Sequence, residues 1–290
     1  MGGERTVVVG VDGSRASLTA VDWAAADAAL CGCALRIMCA FVCPALYAPA
    51  LIAVPDEPGV QEAGAGTVAE AAARAGAVAP GLEVRTDLQA QPPAAALVAA
   101  SKEACTVVVG SRGRGGFAGL LLGSVGVQVA DHAACPVVIV RHADRPAGHE
   151  AGRVVVGFDG SPCAERALRF AYEQAARREV GLTVVHAYPW PAGPRPGDTS
   201  PIVREPDDLR EDERRALAGS TAGYAGQYPG VDVRHTVMHG RAGAVLTELS
   251  AGAELLVVGS RGRGGFTGLL LGSVSQSVIH HAAGPVAVVR

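Results

Sequence analysis

Lysine is nearly missing from this 290-residue sequence: Lys102 stands alone beside 24 arginines. No lysine-rich tail can follow a phosphate backbone, and the second half, which has no lysine, cannot build a lysine-based phosphate site. The formal net charge of −3 gives no basic excess for a nucleic-acid partner either. Long apolar runs are also lacking, because glycine, proline or charge interrupts each one well before transmembrane length. The opening MGGERTVVVGVDGS has no basic segment, apolar core and cleavage site in the order of a secretion signal. A soluble cytoplasmic protein without a membrane partner is the expectation. Two motifs are absent altogether: the phosphate loop G-x4-G-K-[ST] and the nucleophile elbow G-x-S-x-G. Of seven cysteines, Cys31, Cys33, Cys39 and Cys43 crowd together, but without the paired C-x2-C spacing of a zinc knuckle. They read as reduced structural residues, with Cys39 on the core side of the strand-like LRIMCAF, and no metal site is assigned.

What is present is dominated by a repeat. Residues 110–124, GSRGRGGFAGLLLGS, return at 259–273 as GSRGRGGFTGLLLGS, with fourteen of fifteen positions unchanged. The flanks repeat too: RTVVVGVDGS with RVVVGFDGS, and HAACPVVIVR with HAAGPVAVVR. A period this long is a duplicated domain. The expected division is a first domain over 1–143, a linker over 144–151 and a second domain over 152–290. Hydrophobic residues at 49% and charged residues at 18% supply two cores. Each half alternates strand-like and helical segments, as in Thr6–Val11 followed by a helix near 17–30. The first half is expected to continue with strands near 35–42, 82–87 and 106–110 and helices near 61–78 and 93–102. The second half is expected to place strands near 154–158, 182–188 and 231–236. Unbroken runs such as VVVG and LLVVG suit strands covered on both faces, which makes each domain an open parallel α/β sheet.

The glycine-rich segment follows the pattern G-x2-G-x9-G-S: Gly110, Gly113, Gly123 and Ser124, then Gly259, Gly262, Gly272 and Ser273. It leaves a strand and enters a helix, so its amides can converge on an anion and the helix start can face phosphate oxygens. Ser124 and Ser273 read as helix caps, phosphate contacts or both. Arg112, Arg114, Arg261 and Arg263 bring positive charge to the same loops. Phe117 and Leu120–Leu122, with Phe266 and Leu269–Leu271, read as apolar anchors. Asp12 and Asp159 stand at the ends of the first strand of each half, where such sheets bind ligands. Each could bond a sugar hydroxyl, organise Mg²⁺ through water, or cap a turn with Ser14 or Ser161.

The ordered set V-D-G-S, G-x2-G-x9-G-[ST] and H-x3-P-V, found twice, resembles the ATP-binding class of the universal stress protein family in its tandem, actinobacterial form. The resemblance covers nearly the whole chain. It implies two Rossmann-like five-stranded parallel sheets of order 3-2-1-4-5, with helices on both faces and ATP at the ends of strands one and four. It also implies that Asp12 and Asp159 lie near ribose and adenine. Ala40 and Ala187 would then face adenine from strand two. Gly240 matches the family glycine after strand three, whereas the first half has Ala90 or Gln91 there, so the first pocket is expected to be narrower. His239 reads equally as a ligand contact or a surface histidine.

The expected activity is binding of ATP, with Mg²⁺ as its accompanying ion, by a stress-response or signalling module. The alternatives are a slow ATPase or phosphotransferase, or a nucleotide-independent structural pair. No histidine or carboxylate has a clear place as a base beside a γ-phosphate, so no catalytic residue is assigned. The valine-rich final strands of the two halves suggest an internal pseudo-dimer, and the resemblance extends this to a homodimer with an unidentified regulatory partner.

Overall fold

A computed structural model describes residues 5–42, 57–113, 122–141, 148, 150–188, 206–264 and 270–290. Contacts divide the chain into two compact units, Met1–Asp144 and Arg145–Gly284, with residues 285–290 apportioned between them. Among the described residues no helix is long and apolar enough to cross a membrane.

The first unit runs β1 (Thr6–Val11), α1 (Arg15–Cys31), β2 (Ala34–Ala40), α2 (Glu57–Val78), β3 (Val84–Gln89), α3 (Pro93–Ala100), β4 (Thr106–Gly110), α4 (Ser124–His132) and β5 (Val137–Val140). Its strands are parallel in the order β3-β2-β1-β4-β5. The second unit has β6 (Arg153–Gly157), α5 (Pro162–Arg178), β7 (Gly181–Tyr188), α6 (Pro206–Ala225), β8 (Val233–His239), α7 (Ala242–Leu249), β9 (Leu255–Gly259) and α8 (Ser273–His281). There the parallel order β8-β7-β6-β9 repeats the first four positions, and β10 (Val286–Val289) is the last strand of the chain.

The strand sequences explain this layering. Val7, Val8 and Val9 are all buried, as are Val154, Val155 and Val156, because helices cover both faces of each central strand. Outer β3 has only exposed and half-buried residues instead. It starts at Val84 rather than near residue 82, since Gly81, at φ +86°, and the Leu82 amide bonded to Ala79 keep that stretch in a turn. In both units the chain leaves the central strand to one side and returns on the other at β4 or β9. The cleft this opens lies at the carboxyl ends of β1 and β4, and again at those of β6 and β9.

Helices α1 and α5 begin alike. Ser14 accepts from the Ser17 amide at 3.2 Å and Ser161 from the Ala164 amide at 3.2 Å, each satisfying one donor of the first turn. Their ends differ. Gly32 follows α1 at φ +61°, a left-handed geometry glycine adopts freely, whereas Glu179 follows α5 at φ +55° and is the one non-glycine residue with positive φ among those described. A side chain there costs about 1 kcal/mol. Glu179→Gly is therefore expected to stabilise the second unit by roughly that amount. Urea unfolding of the full chain, followed by hydrogen exchange in α5, reads the change, and an unshifted midpoint contradicts it.

Candidate functional site

Each unit carries a cavity of about 440 Å³ at the cleft, within the usual size of a small-molecule site. In the first, Val11, Met38, Ala40 and Leu97 form an apolar wall, and Asp12, Gly110, Arg112, Gly113, Gly123 and Ser124 form the polar side. In the second, Phe158, Val185, Ala187 and Leu246 face Asp159, Gly259, Arg261, Gly262, Arg263, Gly272 and Ser273. Residues far apart in sequence thus meet around one space in each unit. Arg114 lies outside the described residues, as do Phe117, Leu120, Leu121, Phe266, Leu269 and Cys43.

The aspartates organise the cleft before any ligand is considered. Asp12 Oδ1 accepts from the Ser14 amide at 3.0 Å, and Asp159 Oδ1 from the Ser161 amide at 2.9 Å, each closing the D-G-S turn that starts the following helix. The serine hydroxyls then reach the glycine loops: Ser14 Oγ donates to the Arg112 carbonyl at 3.3 Å and Ser161 Oγ to the Arg261 carbonyl at 3.4 Å. In the second unit Asp159 Oδ2 also accepts from the Arg263 amide at 3.0 Å. The turn-capping role is therefore realised in both units, and the second carboxylate oxygen stands against the glycine loop.

Glycine is required there for space. A Cβ on Gly113 would meet Asp12 Oδ2, and one on Gly262 would lie 2.5 Å from Asp159 Oδ2. Gly110 and Gly259 answer to packing as well, since a Cβ on them would lie 2.7 Å from Ala16 backbone and 2.9 Å from Cys163. These glycines let the strand end sit directly on the first turn of α1 or α5.

At the start of α4 and α8 the structure corrects the reading of the serines as caps. Gly123 and Gly272 hold the N-cap position, with no side-chain hydrogen bond, and Ser124 and Ser273 are the first helical residues. The early amides of both helices are thus left without a side-chain acceptor and border the cavity, where they suit an anion.

Gly240 has a structural requirement of its own. It is not among the residues lining the cavity; it sits at φ +146° after β8, where a Cβ would come within 3.0 Å of Val245. Its glycine serves the turn. Gln91, at the matching place in the first unit, bonds Gln89 at 3.4 Å, and the two cavities have the same volume, so the expected narrowing of the first is not observed. His239 packs edge-on against Tyr188 rather than lining the cavity. Of the expected anchors, Leu122 and Leu271 are buried, whereas Leu270 is 45% exposed. Cys39 is buried as expected; burial first, and the Asp12 charge second, push its thiol up.

The sequence reading missed most of the apolar wall. Leu97 and Leu246 come from α3 and α7, helices that carry no motif, and a Cβ on Gly10 or Gly157 would lie within 2.8 Å of them. The signal lay in the repeat, because Pro93–Leu97 and Ala242–Leu246 occupy matching positions ahead of the two glycine loops.

Electrostatics favour a charged carboxylate at Asp159. Burial alone would push it up, but hydrogen bonds from Ser161 and the Arg263 amide, together with the Arg263 charge, outweigh burial and hold it below 3.8. A carboxyl depressed on folding contributes stability that is complete above its unfolded value and is lost as pH falls through its folded value. The second unit should therefore lose stability as pH drops below 3.8, and Asp159→Asn should flatten that limb. Urea midpoints measured against pH check this, and parallel profiles for the two proteins would contradict it. Each cavity wall carries one carboxylate, and no group of three or more metal-ligating side chains occurs among the described residues.

With this geometry in place, the comparisons with known proteins are consistent with one another. The sequence profile of the universal stress protein family matches residues 4–141 and again 150–290. A universal stress protein of Mycolicibacterium smegmatis is 38% identical over 298 residues, covering 99% of this chain and 97% of that one. One from Mycobacterium tuberculosis is 39% identical over 295 residues, covering 98% and 96%. Among solved structures, a universal stress protein from Archaeoglobus fulgidus superimposes with a TM-score of 0.69 at 21% identity, covering 99% of this chain and 96% of the other, which is a likeness of fold.

Proposed function

This chain belongs to the universal stress protein family in tandem form, and we propose that each of its units binds an adenine nucleotide, with ATP as the ligand that fits best. The observation that carries this reading is the duplicated cradle. In both units an apolar wall faces a glycine loop and an open helix start across one cavity. A flat heterocycle suits the side formed by Met38, Ala40 and Leu97, and a phosphate chain suits Arg112, Gly113 and the first amides of α4. Arg261, Arg263 and α8 repeat the polar side in the second unit. Mg²⁺ accompanying the nucleotide would be held by phosphate oxygens and water, since each wall offers only one carboxylate.

Binding, rather than turnover, is the main activity. Phosphoryl transfer needs a group that positions the nucleophile, and the described walls hold no histidine or lysine. The single carboxylate of each wall is already engaged in its turn. The protein acts in the cytoplasm as a stress-response or signalling module whose nucleotide state alters what it contacts.

The test is to denature freshly purified protein and identify what it releases, then to titrate ATP calorimetrically into stripped protein. Released adenine nucleotide, saturable binding at two sites per chain and no multiple-turnover phosphate release are expected. Absence of both released nucleotide and ATP binding would overturn the reading, and rapid phosphate release lost in Asp12→Ala and Asp159→Ala would make the protein an enzyme.

A further inference from the structure

At the opposite end of the first unit's sheet from its cleft, two thiols face each other. Cys33 stands just before β2 and Cys105 just before β4, the strands that flank β1. Their Sγ atoms are 4.0 Å apart although the residues are 72 positions apart in sequence. Nothing repeats this in the second unit, where Val180 and Glu254 hold the matching places. The pair therefore does not belong to the duplicated nucleotide machinery.

The surroundings fix both sulfurs. Cys105 Sγ donates to the Thr6 carbonyl of β1 at 3.1 Å, and Cys33 Sγ lies 3.6 Å from the Cys31 carbonyl. Cys33 is buried and Cys105 half-buried. Zinc is not favoured, because no third ligating side chain completes a metal group with them among the described residues. Two thiols in contact without a metal have one further chemistry in common, oxidation to a disulfide, which needs the sulfurs to close from 4.0 Å to about 2 Å.

We propose that Cys33 and Cys105 are a redox modification site that a small hydroperoxide converts to an intramolecular disulfide. The peroxide oxygen is transferred to one of the two sulfurs, giving a sulfenic acid and one water from hydrogen peroxide. The other sulfur then displaces that hydroxyl, its own proton leaving with it as a second water, and the S–S bond forms. The two thiols lose two electrons, which reduce the peroxide. Burial foremost, and then the neighbouring Cys33, push the Cys105 thiol up, which slows any step that needs its thiolate. The bond would tie together the near ends of β2 and β4, whose far ends carry Ala40 and Gly110 of the first cleft.

The experiment treats the full chain with hydrogen peroxide, blocks remaining thiols under denaturing conditions and maps tryptic peptides by mass. The expected product joins residues 16–36 to residues 103–112, two hydrogens lighter than the separate peptides and released by dithiothreitol. It should persist in Cys31→Ser and vanish in Cys33→Ser and in Cys105→Ser. Thiol loss without this linked pair, a link that survives Cys33→Ser, a link between two chains, or resistance to peroxide would each overturn the proposal. None of these readouts depends on nucleotide binding.

Discussion

Gly262→Val is expected to abolish the proposed nucleotide binding in the second cleft, and Gly113→Val that in the first, each weakening its own site by more than about 100-fold, or roughly 3 kcal/mol. The cause is steric and local. A Cβ at Gly262 would already lie 2.5 Å from Asp159 Oδ2, so the carboxylate must move, and the valine methyls then enter the space between the apolar wall and α8. Moving Asp159 also breaks its bond to the Arg263 amide, which shapes the loop. Neither glycine has positive φ, so the backbone itself accepts a side chain and the fold should survive. Calorimetry should show one site remaining in either single variant and none in the double variant. Undiminished binding by the double variant would remove the glycine loop from the site. If Gly113→Val instead weakened both sites equally, the clefts would not be the independent units proposed.

How much of this was legible in the sequence depends on the range over which each feature is determined. The central strands were readable because Val7–Val9 and Val154–Val156 are buried on both faces and need no polar alternation. The glycine loop was readable because it is local and occurs twice. Features that need a partner from another element were not. The start of β3 depended on the turn at Gly81, and the turn at Gly240 depends on its φ and on the approach of Val245. Ser124 and Ser273 have the right composition for caps but fall one position late, since the glycine before each one already has the extended N-cap geometry. The apolar wall combines β2 with α3, and β7 with α7, and no spacing rule joins those segments.

Arg153 is the clearest residue of this second kind, and its replacement should have the largest effect on stability. In the sequence it opens RVVVG, in the place Thr6 holds in the first half. In the structure its side chain is 8% exposed. Nε donates to Thr183 Oγ1 at 3.0 Å and Nη1 to Asp232 Oδ2 at 2.7 Å. Nη2 donates to the carbonyls of Leu182 and Asp232, both at 2.8 Å. Glu150 completes the network, accepting from Thr183 Oγ1 at 2.5 Å and standing 3.8 Å from the guanidinium. Gly181 leaves the room, because a Cβ there would run into the guanidinium. Removing the arginine leaves a nearly buried carboxylate without its cation and takes the guanidinium donor from the Leu182 carbonyl, while the Asp232 carbonyl keeps only the Leu182 amide, so Arg153→Ala is expected to cost the second unit about 3–5 kcal/mol. Arg153→Lys should recover little, since an ammonium cannot reproduce the planar fork that serves four acceptors at once. Arg153→Met combined with Glu150→Gln should recover part of the loss by removing both buried charges together. The first unit, with threonine at this place, is the internal control. Urea unfolding with hydrogen exchange should show protection falling in β6, β7 and β8 while β1 and β2 hold theirs. A cost below about 1 kcal/mol would mean that water replaces the guanidinium and that the network adds nothing net.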